Sequence, residues 1–254
     1  MNYRLTIQYD GTDFAGWQVQ GRGERTVQGE LQRALSLLEG REVAVHGAGR
    51  TDAGVHAEGQ VASVRLEREF TPERLRAAVN GNVGRDLRVV EARPAPEDFH
   101  ARFSARGKTY CYRIFNEPFA SPFLTRYAQH EARRLDTERM RACARLFVGT
   151  HDWTAFSAAQ SDVRDRVRAV TSVEVTARQS ESGRGRLVEI TACAEGFLRY
   201  MVRSIAGTLL EVGRGQIEAA QVARALDSGE RSLAGATAPA KGLTLVKVHY
   251  ESDE

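Results

Sequence analysis

The stretch HGAGRTDAGVHAEGQV, residues 46–61, sets His46, Arg50, Thr51, Asp52 and His56 among four glycines. Glycine lets a backbone turn tightly and lets another group approach it closely. An aspartate held near a cation stays ionised at neutral pH and can act as nucleophile or base. Arg50, two residues before Asp52, can pair with that carboxylate or with a phosphate. The same residues also suit an Asx turn joining two strands, and local sequence alone leaves both readings open.

Other chemistries fit less well. A dinucleotide fingerprint needs a third glycine where Asp52 stands and a helix after it, whereas the following residues read as a strand. No phosphate-cradling G-x-x-x-x-G-K-[ST] run occurs. Asp52 and His56 are spaced to share a metal on a helix, but Gly49 and Gly54 argue against a helix there, and spacing supplies no third ligand. No metal is therefore expected, and His46 and His56 are structural or RNA-contacting. Cys111, Cys143 and Cys193 are odd in number and far apart, which indicates neither a disulfide framework nor a zinc site. No apolar run is of membrane length and no signal-peptide pattern opens the chain, so a reducing cytoplasm is expected.

The 254 residues suggest one large domain or two small ones. Of 36 basic residues only Lys108, Lys241 and Lys247 are lysines. The rest are arginines, whose planar forks suit phosphate, although genomic base composition or solubility explains them equally well. The pI of about 8.9 permits nucleic-acid binding without showing it.

The elements that must position these residues repeat. Tyr3, Leu5, Ile7 and Tyr9 alternate as a half-buried strand. Val27, Leu31, Ala34, Leu35 and Leu38 recur at helical spacing, with Gly40 to end the helix. Strands are expected at 41–46 and 60–66, a helix opening at Thr71–Pro72, and a strand at 86–92. The second half gives a strand at 108–115, a helix capped by Asp136, strands at 167–178 and 186–194, a helix at 196–213, a short helix at 216–227 and a strand at 243–250. Two β-α-β-β-α-β orders predict an α+β fold of two ferredoxin-like, RNA-recognition-like halves. The predicted domains are 1–105, carrying the loop, and 106–254.

Several long motifs in order resemble the tRNA pseudouridine synthase A family. They are YDGTDFAGWQVQ (9–20), AGRTDAGVHAEGQV (48–61), DFHARFSARGKTYCYRI (98–114), HDWTAFS (151–157), FLRYMVRSIAGTLLEVG (197–213) and AKGLTLVKVHY (240–250). Departures fall at Ala57, Glu58, Lys108 and Thr109, where the family varies. The resemblance implies an isomerase that turns uridines 38, 39 and 40 of the tRNA anticodon arm into pseudouridine. It further implies two ferredoxin-like halves with the active site in the cleft between them, a homodimer, and no cofactor.

By the same resemblance Asp52 is the catalytic residue, Tyr110 contacts the substrate base, and Arg203 is the arginine that pairs with the catalytic carboxylate. Arg50 and Arg203 are also substrate-binding candidates. The residues themselves allow plainer roles: Tyr110 shares a strand face with Tyr112 and Ile114, and Arg203 can be a solvated helix residue. Arg22, Arg25, Arg164, Arg166 and Arg168 are phosphate-contact candidates, the last three equally a solvated strand face. The rival function is a non-catalytic RNA-binding or chaperone module. Such a module needs surface aromatics on its strands, not a carboxylate in a glycine-framed loop.

Overall fold

The alternation at the start of the chain becomes β1, Asn2–Tyr9, with Tyr3, Leu5, Ile7 and Tyr9 buried on one face. The structure is a computed structural model that describes residues 1–21, 23–160, 163–180 and 183–251. The chain divides into two units, one of Met1–Arg106 with the chain from Leu245 onward, the other of Gly107–Thr244.

In the first unit, α1 is Val27–Glu39. Thr26 caps it by accepting from the Gly29 amide at 3.2 Å, and Gly40 ends it at φ 74°. Its apolar stripe of Val27, Leu31, Ala34 and Leu35 is buried. β2 is Val45–Gly47 and β3 is His56–Arg65. The strand expected over 41–46 forms only at its end, because the Val43 amide donates to Ser36 Oγ at 3.0 Å and ties that segment to α1. β3 starts earlier than expected: a bulge between Ile7 and Tyr9 brings Ala57 into register with Tyr9. α2, Pro72–Gly81, has Thr71 as its cap and proline in its first turn, and buries Leu75 and Val79. β4 is Leu87–Ala95. β1 lies between β4 and β3, and β2 pairs with β3, all antiparallel.

The second unit opens with β5, Gly107–Asn116, joined in parallel by the short β6, Gln129–Glu131. Asp136 caps α3, Thr137–Ala144, by accepting from the amides of Glu138 and Arg139, and one 3₁₀ turn carries the chain to Phe147. β7 is Gly149–Asp152, β8 Val167–Gln179 and β9 Arg186–Ala194. β9 pairs with both β5 and β8, and β7 pairs with β8. The orders β1-β3-β2 and β5-β9-β8 are the same, so the repeated element order is also a repeated pairing. β6 and β7 are edge additions too short to leave a period.

α4 is Met201–Gly213 and α5 is Ala219–Ser228. β10, Leu243–His249, begins in the second unit, but from Leu245 the chain belongs to the first. There β10 neighbours β3, the Arg106 amide donates to His249 O at 2.9 Å, and Tyr250 Oη donates to Ala101 O at 2.6 Å. The division at 105/106 placed all of 106–254 in one domain. The chain instead returns, because these bonds satisfy the last strand within the first unit.

Candidate active site

Two loops of the first unit are built into each other, and this explains their glycines. The Trp17 amide donates to Thr51 O at 3.0 Å. Gly11 packs so closely that a Cβ there would lie 2.0 Å from Val55 O. A Cβ on Gly16, at φ 98°, would meet Thr51 O at 2.7 Å, and one on Gly47 would meet the Trp17 ring at 2.4 Å. These glycines make room for a neighbouring backbone and ring.

The backbone on both sides of Asp52 is thereby fixed. On one side Thr51 is buried and shares a 2.8 Å hydrogen bond with the Tyr9 phenol. Burial pushes that phenol up to about 12, so it stays neutral in ordinary conditions. Gln60 Nε2 donates to Gly49 O at 3.0 Å, and the Ala48 amide donates to Val61 O at 2.8 Å. On the other side the Val55 amide donates to Asp52 O at 3.1 Å. Gly54 is at φ 78° while Ala53 keeps an ordinary negative φ, the pattern of a type II turn with glycine at its third position. Asp52 opens this turn and is half-buried. Arg50 is exposed, and its Nε donates to Gln18 Oε1 at 3.1 Å.

His56 is buried, with Nδ1 3.0 Å from the Gly11 amide nitrogen and 3.2 Å from Asp10 Oδ1. One ring nitrogen can accept from the first or donate to the second, not both. Either way it joins the two loops. His46 is exposed on β2 and lies against His100, ring centroids 5.1 Å apart and planes tilted by 36°.

Tyr110 and Arg203 belong to the second unit. Tyr110 is buried on β5, edge-on to the Phe197 ring at 5.3 Å and 89°. Tyr112, two residues on, is fully buried and donates to Pro239 O at 3.0 Å. Burial raises its phenol well above the usual value, and the positive charge of Arg203 acts in the opposite sense. Arg203 is half-buried rather than solvated: its Nε donates to Ala238 O at 2.8 Å, and its guanidinium lies 4.9 Å from the Tyr200 ring centroid.

Here the sequence reading fails. The helix expected from 196 starts only at Met201, because Tyr200 adopts φ 66°, ψ −2°. A left-handed conformation costs an L-residue with a Cβ roughly 1–2 kcal/mol. Apolar spacing carries no trace of one reversed dihedral. The expected helix at 196–213 therefore takes in Phe197 and Tyr200, which the structure places before its first turn.

Several phosphate candidates have protein partners. Arg25 grips Asp86 with two hydrogen bonds of 2.6 and 2.8 Å and covers the Phe14 ring at 4.2 Å. That grip raises its pKa and lowers that of Asp86, so it is a structural clamp. Arg166 donates to Ser157 Oγ and Ala159 O, and Arg168 to the carbonyls of Asp165 and Val167. Arg164 is exposed, and Arg22 lies outside the described residues. Among the described residues no three His, Cys, Asp or Glu side chains are grouped to hold a metal. None of their helices is long and apolar enough to cross a membrane.

Comparison with known proteins agrees with the motifs. A family model described as tRNA pseudouridine synthase matches residues 5–104 and 143–251. A tRNA pseudouridine synthase A of a Bacillus species is 42% identical over 249 residues, which is 98% of this chain and 99% of that protein. The tRNA pseudouridine synthase A of Acetivibrio thermocellus is 41% identical with the same coverage. A tRNA pseudouridine synthase A 2 of Bacillus cereus is 38% identical, again with 98% and 99% covered. With both glycine-framed loops inside the matched segments, and matches that run nearly end to end, the chain belongs to the tRNA pseudouridine synthase family.

Proposed function

We propose that this protein converts uridines 38, 39 and 40 of the tRNA anticodon arm to pseudouridine, with Asp52 as the reacting carboxylate. Family membership carries the reaction class, an isomerase acting on tRNA, and sets aside a purely binding module. The assignment of the carboxylate rests on one observation: buried partners lock the backbone on both sides of Asp52. A reacting group must be held within a fraction of an ångström, and a packed second layer supplies that precision.

In the reaction the bond from C1′ to N1 breaks and a bond from C1′ to C5 forms. C5 then loses a proton and N1 gains one. No atoms or electrons enter overall, so the stoichiometry calls for no cofactor. Asp52 either attacks the sugar or ring as a nucleophile or takes a proton from the sugar as a base. The base must first leave its stack. Tyr110 and Phe197 then offer aromatic surface to it, and the Tyr110 phenol a hydrogen bond. Arg203 is assigned to the uridine from the second unit. Arg50, tethered to Gln18 yet exposed, is assigned to phosphate beside it. The protein works as a homodimer in the cytoplasm.

The test uses tRNA transcripts carrying tritium at C5 of the anticodon-arm uridines. Single-turnover release of tritium to water, with pseudouridine mapped at 38–40, is the expected result. Pseudouridine at other positions only would overturn the site assignment. No release from any uridine would overturn the activity. Light scattering at micromolar concentration reports the dimer.

A further inference from the structure

Tyr200 breaks two local rules at once. Among the described residues it is the one non-glycine with positive φ. It also occupies the N-cap of α4 without making a side-chain capping hydrogen bond. Asparagine or glycine would suit the left-handed backbone, and asparagine would also cap the helix. Violations that coincide in this way are expected where function requires them.

The ring shows what they gain. The Arg199 guanidinium lies 4.8 Å and that of Arg203 4.9 Å from its centroid, and Arg199 Nη2 donates to the Tyr200 hydroxyl at 3.1 Å. Arg203 lies in the first turn of α4, three residues after Tyr200, and is tied at Nε to Ala238 O. The carbonyl fixes one edge of the guanidinium and the ring lies against it.

We propose that Tyr200 is a positioning residue: its left-handed backbone sets an aromatic face against Arg203 and fixes that guanidinium for the uridine. This rests on the role assigned above to Arg203. Cation–aromatic attraction of this kind survives loss of the hydroxyl but not of the ring. The substitution that best suits the backbone should therefore damage the reaction.

The experiment compares full-length Tyr200→Gly, Tyr200→Asn and Tyr200→Phe with the wild type. Thermal melting, tRNA binding and single-turnover pseudouridine formation at saturating enzyme are measured for each. The Arg203 Nε–H resonance is followed by NMR. The Gly and Asn variants should melt at or above the wild-type temperature and bind tRNA within about threefold. Their conversion should nonetheless be about tenfold slower or worse, the scale on which small misplacement acts. The Phe variant should keep its rate within about threefold. The Arg203 resonance should move in the Gly and Asn variants and stay near its wild-type position in the Phe variant.

A Gly or Asn variant that converts tRNA like the wild type, or a Phe variant as slow as they are, would overturn the proposal. Should the Gly variant melt far lower, the Asn variant decides by the same criteria. A wild type that makes no pseudouridine would overturn the proposed function. The resonance would then still decide, by moving or not, whether Tyr200 holds Arg203.

Discussion

The loop at 46–61 and the turn at 196–203 solve a similar problem in opposite ways. Under the proposed function each presents a charged side chain, Asp52 in one and Arg203 in the other. In the first unit the sharp or crowded positions are glycines: Gly11, Gly16, Gly47 and Gly54. Local preference and tertiary packing agree there, and the rigid result is written in the composition. In the second unit the left-handed position is filled by Tyr200, against local preference. The difference teaches where each device can be found: glycine-built precision is visible in sequence, while strain-built precision shows only in dihedral angles.

The comparison breaks most sharply at Asp52. Asp52→Asn should abolish pseudouridine formation, slowing single turnover on the order of 10³-fold or more, as loss of a catalytic nucleophile or base does. Binding of tRNA in a filter assay should stay within a few-fold, since an anion contributes little attraction to phosphate. Asparagine suits an Asx turn about as well as aspartate. If the Asn variant keeps wild-type turnover, the loop is only a well-packed turn.

The next test separates crowded glycines from open ones. In Gly11→Ala a new methyl would fall 2.0 Å from Val55 O, so backbone must shift. The expected loss is about 3 kcal/mol, a melting temperature lower by roughly 5–10 °C, and a severe loss of turnover. Gly40→Ala meets no neighbour within 4 Å and carries only the left-handed penalty of roughly 1–2 kcal/mol. It should melt slightly lower and convert tRNA normally. Equal damage in both variants would mean that loop-to-loop packing does not hold Asp52.

Legibility follows the same division. Period-2 and period-3.6 patterns located β1, α1, β8 and β9 because each has one face more buried than the other, and alternation located β5 although both of its faces are buried. The cap residues Thr71 and Asp136 marked two helix starts, because each supplies an acceptor to the amides of the first turn. Residues 41–44 failed as a strand because a single side-chain bond, Ser36 to Val43, decides their path. Arg25 read as a phosphate ligand because its partner, Asp86, stands 61 residues away. The glycine-framed loop singles out Asp52 in sequence, whereas the roles proposed for Asp52, Tyr110 and Arg203 rest on the family motifs. What sequence omitted was the supporting layer: the phenol of Tyr9, the ring of Trp17, the amide of Gln60 and the dihedral of Tyr200.

In the second unit Tyr110 allows a finer distinction. Tyr110→Phe keeps the ring against Phe197 and should bind tRNA normally while slowing turnover, if the phenol bonds to the base or carries a proton. Tyr110→Ala also removes stacking surface and should cost a further 1–3 kcal/mol, roughly, in holding the extruded base. Wild-type turnover in both variants would leave Tyr110 as a sheet residue alone.

The smallest expected effect concerns the neutral phenol that braces the first loop. The Tyr9 hydroxyl is buried against Thr51 and Gln60, and its pKa is pushed up to about 12 from the usual 10. Because the folded state favours the protonated form, its contribution is complete below pH 10. It is lost as the pH rises from 10 through 12. A difference of about two units corresponds to at most roughly 3 kcal/mol. Tyr9→Phe cannot ionise and lacks the Thr51 bond, so at pH 8 it should be less stable by about 1 kcal/mol. Tyr112 and Cys143 also have raised pKa values, so both proteins weaken in alkali, and the informative quantity is the gap between them. That gap should narrow between pH 10 and 12, as the wild type alone must ionise or bury the Tyr9 phenol. Chemical unfolding of the two proteins at pH 8, 10 and 11 measures it. Stability curves that stay parallel across that range would mean that burial does not hold the Tyr9 phenol in its protonated form, and equal stability at pH 8 would mean that its bond to Thr51 does not brace the backbone beside Asp52.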